Sequence, residues 1–146
     1  MKSTISLTDY VKKRNGVALG AKGSMRNMLT RSLGAASFQQ FWHYWNPIWG
    51  YYLSQYVMRP LRALLPLTLA ILLTFVVSGA LHDVAVSIVK WRPVFFFTPW
   101  FFLMSLALIS LQLSNVRYPR LPWLLRAAAN MGVIGLCLAA TYALGF

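Results

Sequence analysis

The sequence predicts an all-α membrane protein: a basic N-terminal arm, an interfacial amphipathic helix, and then about three transmembrane helices. Three observations lead there. Hydrophobic residues make up 58% of the 146 and charged residues only 11%, whereas a soluble domain runs near 25% charged because a water-facing surface needs charge. The charge that remains is one-sided, 14 Lys and Arg against Asp9 and Asp83, for a net +12. Beyond residue 63 the apolar residues are gathered into long runs, and the mean hydropathy of the whole chain is +0.57.

The same composition excludes several classes. Cys137 is alone and lies in an apolar run, so no disulfide framework or CxxC pair exists within the chain; it reads as a small hydrophobe packed in a helix. Two histidines and one cysteine are too few for a metal site, and no metal or bound cofactor is expected. The basic residues accompany no nucleic-acid-binding motif and flank the apolar runs as topology signals do, so no nucleic-acid partner is expected.

Taken in order, residues 1–37 hold seven Lys and Arg and four glycines without a long apolar run, which reads as a basic, loop-rich arm with short helical pieces. No apolar h-region follows the charged start, so no secretory signal is expected. Residues 38–62 open with a dense aromatic run, Phe41, Trp42, Tyr44, Trp45, Trp49, Tyr51, Tyr52 and Tyr56. Tyr and Trp favour the headgroup level, where the ring is in apolar surroundings and its polar tip stays wet. The segment therefore reads as an interfacial helix, with a break expected at Asn46-Pro47.

Residues 63–146 carry three expected spans. Leu64 to Val89 would measure about 39 Å as a helix, enough to cross a core of about 30 Å with tilt. Val94 to Leu113 carries no charge, and Thr98-Pro99 is a cap and first-turn pair that would start its helix later. Leu124 to Phe146 is the third, with Arg126 near enough to its start to snorkel out. An N-inside arrangement places twelve basic residues inside and two, Lys90 and Arg92, outside. The positive-inside rule thus expects a cytoplasmic N-terminus in a multi-pass protein, and the compact form without organelle signals points to a bacterial inner membrane.

Two constellations carry chemistry. His82 and Asp83 lie in the run FVVSGALHDVAV, and an ionisable residue within a span is costly and asks for a reason. His82 is either a packing element or a general base, its neutral form being available near neutrality. Ser78 and Gly79, at i−4 and i−3, would leave room for a substrate beside it. Asp83 either pairs with a basic residue of another helix or borders the same cavity, since adjacent helical positions point about 100° apart. In FWHYWN, residues 41–46, a helical Asn46 would stack near His43 and Gly50; alternatively it caps or interrupts a helix before Pro47.

FWHYWN, then the basic stretch YVMRPLRALLP, then SGALHD on an apolar helix resembles the membrane-bound O-acyltransferase superfamily, most closely its sterol and diacylglycerol branch. His82 follows Asn46 by 36 positions, within that branch's usual spacing. The resemblance spans roughly residues 20–113, the catalytic C-terminal half of a family member, and Asp83 stands where many relatives have Glu. It implies acyl transfer from acyl-CoA, as co-substrate, to a hydroxyl acceptor, with His82 as general base and Asn46 as the second active-site residue. It also implies that Trp42, Trp45, Ser78 and Asp83 shape the substrate site. Lys22, Arg26 and Arg31 are candidates for the coenzyme A phosphates, with anionic membrane lipid as the competing partner. Three spans scarcely enclose a long acyl chain, so a homo-oligomer or a partner membrane subunit is expected. The alternative function is a non-catalytic membrane subunit or scaffold that keeps these motifs for packing.

Overall fold

The computed structural model of the chain describes residues 4–146; Lys2, counted with the basic arm, lies outside the described residues. Among the described residues every regular element is helical. The chain forms two compact units: residues up to Ser54 together with Arg117–Met131, and Gln55–Val116 together with Gly132–Phe146.

In the first unit the short helical pieces expected in the basic segment are two helices, and they pack into the unit. Helix α1 is Leu7–Asn15 and α2 is Ser24–Leu33. Ser6 starts α1 by accepting from Asp9 N, and Gly16, at φ 81°, ends it in the left-handed conformation that glycine adopts without steric cost. Asn15 locks the turn to α2. Its buried amide donates to Ser24 O at 3.0 Å and Ser24 Oγ at 2.9 Å. Helix α3, Phe38–Tyr44, is capped by Ser37, whose Oγ accepts from Gln40 N at 3.1 Å.

The break expected at Asn46-Pro47 is present. Asn46 adopts φ 42° and ends the first piece, and α4, Pro47–Leu53, starts with Pro at its first position. The unit's core gathers Val11, Ala35, Phe38 and Phe41, all nearly inaccessible. Phe38 and Phe41 stack at 6.1 Å. Burying large aromatic and aliphatic groups contributes roughly 1.5–3 kcal/mol each, which explains why a segment so rich in charge and glycine still folds around them.

In the second unit a π-helical turn, Ser54–Met58, runs into the short α5, Arg59–Leu64. Pro66 then precedes α6, Leu67–Lys90, three residues later than the first expected span begins. The second expected span forms α7, Phe97–Leu113, which starts one residue before the Thr98-Pro99 pair; Phe96 is its N-cap and Thr98, expected there, lies inside the first turn. Its 17 residues measure about 26 Å, short of a hydrocarbon core of about 30 Å. Helix α8, Trp123–Ala143, matches the third expected run, and its residues up to Met131 belong to the first unit. Two helices, α6 and α8, are long and apolar enough to cross a membrane. Two hydroxyls on these apolar helices are satisfied within the helix: Thr74 Oγ1 donates to Ala70 O and Thr141 Oγ1 to Cys137 O.

Candidate functional site

The site is built where α6 meets α7. Gly79 lets the two helices touch: a Cβ there would lie 2.7 Å from Phe97 O and 2.8 Å from Thr98 Cα. The space that Ser78 and Gly79 were expected to leave for a substrate is therefore filled by α7, and Ser78 itself is buried. One turn later His82 lies against Phe101 and Phe97, with ring centroids 5.0 Å and 5.6 Å away. His82 Nδ1 is 2.6 Å from Ser78 O. A carbonyl only accepts, so Nδ1 carries the proton and donates, and in the neutral ring the basic lone pair is on Nε2.

Asp83 has neither of the expected arrangements, a basic partner or a cavity edge. Its Oδ1 accepts from Phe96 N at 2.9 Å and Phe97 N at 2.8 Å, and its Oδ2 from Thr98 N at 2.8 Å and Thr98 Oγ1 at 2.6 Å. The reason lies in the start of α7. Phe96, at its N-cap, has no side chain to accept a hydrogen bond, and the first amides of any helix lack an intrahelical acceptor. Asp83 takes three of these, and Pro99 has no N–H to satisfy. The positive end of the α7 dipole further stabilises the carboxylate. His82 and Asp83, adjacent in sequence, thus both meet α7, with distinct tasks.

The FWHYWN residues belong to the first unit. Asn46 is the left-handed N-cap of α4 and its Oδ1 accepts from Trp49 N at 3.2 Å, so the capping alternative is the one adopted and Asn46 is not part of a continuous helix with His43. Trp42 packs edge-on against Phe41 at 5.1 Å, and Trp45 stacks on the same ring at 5.6 Å. Both tryptophans thereby cover the buried Phe38 and Phe41 pair.

Of the basic candidates, Lys22 and Arg26 are exposed, whereas Arg31 donates to Arg14 O at 2.9 Å and lies over the Tyr44 ring. A contact that sequence reasoning missed ties Arg14 to His43: Arg14 Nη1 donates to His43 Nδ1 at 2.8 Å and to His43 O at 3.0 Å. Partial burial, then the nearby Arg14 and Lys13 charges, hold the His43 pKa below its ordinary 6.5. No group of three or more potential metal ligands occurs among the described residues.

A second missed feature is Asn130 on α8, fully buried in the first unit. Its Nδ2 donates to Leu33 O at 2.9 Å and Ala35 O at 3.0 Å, and its Oδ1 accepts from the Tyr118 hydroxyl. Trp123 Nε1 adds a bond to Thr30 O at 2.9 Å. Asn130 thus satisfies the Leu33 carbonyl at the end of α2 and the Ala35 carbonyl just beyond it, while Trp123 gives Thr30 O, which also accepts from Gly34 N, a second donor. The signal available in the sequence was a lone amide in the apolar run AAANMGV.

Compared with known proteins, the chain matches no family model, no curated protein and no solved structure.

Proposed function

We propose that this chain is a multi-pass membrane protein of the O-acyltransferase type, transferring an acyl group from acyl-CoA to a hydroxyl acceptor with His82 as general base. The observation that carries the reading is the hydrogen bond from His82 Nδ1 to Ser78 O. It holds the imidazole in the tautomer whose Nε2 can take a proton, the orientation a general base needs. Deprotonated in this way, the acceptor oxygen attacks the thioester carbonyl, the C–S bond breaks, and the coenzyme A thiolate leaves as the thiol by taking back the proton that His82 Nε2 accepted. Asn46 would position the donor or stabilise the developing oxyanion.

Membrane placement is supported by the surroundings of α6 and α8. Only 22% of the apolar window of each is buried inside the structure, whereas a soluble protein's core helix would be mostly covered. We place the N-terminus in the cytoplasm, with α7 as a third span shortened to about 26 Å, in a bacterial inner membrane and in a homo-oligomer or beside a partner subunit. Purified protein supplied with labelled acyl-CoA and a lipid alcohol tests the chemistry. His82→Ala is expected to lower ester formation about 10²–10⁴-fold, and Asn46→Ala up to about 10²–10³-fold. Ester formation unchanged in His82→Ala removes the base role.

A second reading, a non-catalytic membrane subunit, is favoured by the packing uses of Gly79 and Asp83. It predicts no turnover in the wild type and stable copurification with another membrane protein.

A further inference from the structure

Along α2, Met25, Leu29 and Leu33 recur every fourth residue and form one apolar stripe. Met25 is 66% exposed and Leu29 is exposed beside it. Leu19, Ile48 and Trp123 extend the stripe into an open groove of about 940 Å³ within the first unit. Trp123 forms a fixed wall there, because its Nε1 is held on Thr30 O. The groove continues into more exposed apolar surface at the start of α8, where Leu121, Leu124 and Leu125 flank Trp123.

Among the described residues no acidic side chain lines this groove. Arg26 is the charged side chain in its lining, and Lys22 lies between the lining residues Ala21 and Gly23. The acid in this unit, Asp9, already accepts from Ser6 Oγ at 2.7 Å. Arg126, one turn along α8 from Trp123, has its Nε buried without a hydrogen-bond partner among the described residues.

We propose that the groove binds one anionic phospholipid, its phosphate on Arg26 and Lys22 and an acyl chain along Leu19, Met25, Leu29, Ile48 and Trp123. An apolar trough beside a basic rim is complementary to that amphiphile in both halves. A bilayer lipid fits better than acyl-CoA for two reasons. Coenzyme A carries a pyrophosphate and a further phosphate monoester and would need several cations in the lining, whereas Arg26 matches a single phosphodiester. The groove is also open along its side and joins the exposed apolar start of α8.

The test is native mass spectrometry of the detergent-solubilised full chain, titrated with phosphatidylglycerol and with phosphatidylcholine of the same chain length. Phosphatidylglycerol is expected to bind roughly tenfold to thirtyfold tighter, from about 1 kcal/mol per basic residue at the headgroup. Lys22→Gln with Arg26→Gln should erase that preference, Lys22→Arg with Arg26→Lys should keep it, and Met25→Ser with Leu29→Ser should weaken both lipids. Equal binding of the two lipids overturns the proposal. So does a preference lost in Arg59→Gln with Arg62→Gln but kept in Lys22→Gln with Arg26→Gln, or displacement of the lipid by inorganic phosphate or by acyl-CoA. Circular dichroism melts of the variants separate lost binding from lost folding, and the charge-keeping pair provides a second check. None of these outcomes depends on His82 or on ester formation.

Discussion

Asp83 and Asn130 are both buried polar side chains set in apolar helices, one in each unit, and they solve opposite halves of one problem. Helix α7 begins without a local cap, so its first amides need an acceptor, and Asp83 supplies two oxygens to four donors. At the other kind of helix end, the Leu33 carbonyl of α2 and the Ala35 carbonyl just beyond it need donors, and Asn130 supplies an amide to both while its own oxygen is taken by Tyr118. An acceptor-only carboxylate suits a helix start, where the dipole also favours negative charge, and an amide suits a helix end. A buried polar residue in an apolar run therefore says that some backbone group elsewhere needs a partner. Only the type of side chain says which kind.

Removing the Asp83 charge has the largest expected effect. Asp83→Ala leaves three partly buried amides and a hydroxyl without their acceptor and is expected to cost about 3–5 kcal/mol. Asp83→Asn should recover part of this, since one oxygen still accepts. Denaturant unfolding in detergent, followed by circular dichroism, measures both. A cost below that of an ordinary surface substitution in Asp83→Ala would mean that α7 starts without help from α6.

Asn130→Ala comes next, at about 2–4 kcal/mol, because it strands two carbonyls and the Tyr118 hydroxyl. Tyr118→Phe removes one bond of the same set and should cost nearer 1 kcal/mol. If the two variants cost the same, the carbonyl bonds contribute little.

Gly79→Ala sharpens the contrast between cap and packing. The added Cβ would press on backbone at Phe97 and Thr98, which cannot rotate away, and overpacking of this kind costs about 1–3 kcal/mol. It should also weaken the Asp83 bonds to the same turn, so Gly79→Ala and Asp83→Ala combined should destabilise by less than their sum. Strict additivity would separate the close helix contact from the cap.

The smallest effect is pH-dependent and belongs to the first unit. The folded-state pKa of His43 lies below 6.5, so the unfolded chain binds the proton more readily. The stabilising contribution is complete above pH 6.5 and is lost as pH falls from there through the lower folded value. His43→Gln should flatten this part of the stability profile, while Asp83→Asn should leave it in place.

Much of the helical framework was legible before the fold. The break at Asn46-Pro47 and the long runs of α6 and α8 follow from proline geometry and apolar runs, whereas the cap expected at Thr98 falls to Phe96 because Asp83, from another helix, takes the first amides of α7. Short helical pieces in residues 4–37 were legible, but their packing was hidden, because its partners Phe38, Phe41 and Asn130 all lie outside that segment. Asn46 was readable only as two alternatives, helical neighbour of His43 or cap, and the positive φ at that residue selected the second.

By itself, then, the sequence determined which stretches are helical, which are apolar enough for lipid, and that His82 and Asp83 needed partners. Helix period, proline and hydropathy act over a few residues, and a chain carries them wherever it goes. The identity of those partners was decided only in three dimensions. Asp83 serves the amides of residues 96–98 because α7 begins beside it, and the room expected over Ser78 and Gly79 is closed because Gly79 admits the α7 backbone. Such choices depend on which elements meet at contact distance, and no local pattern encodes that.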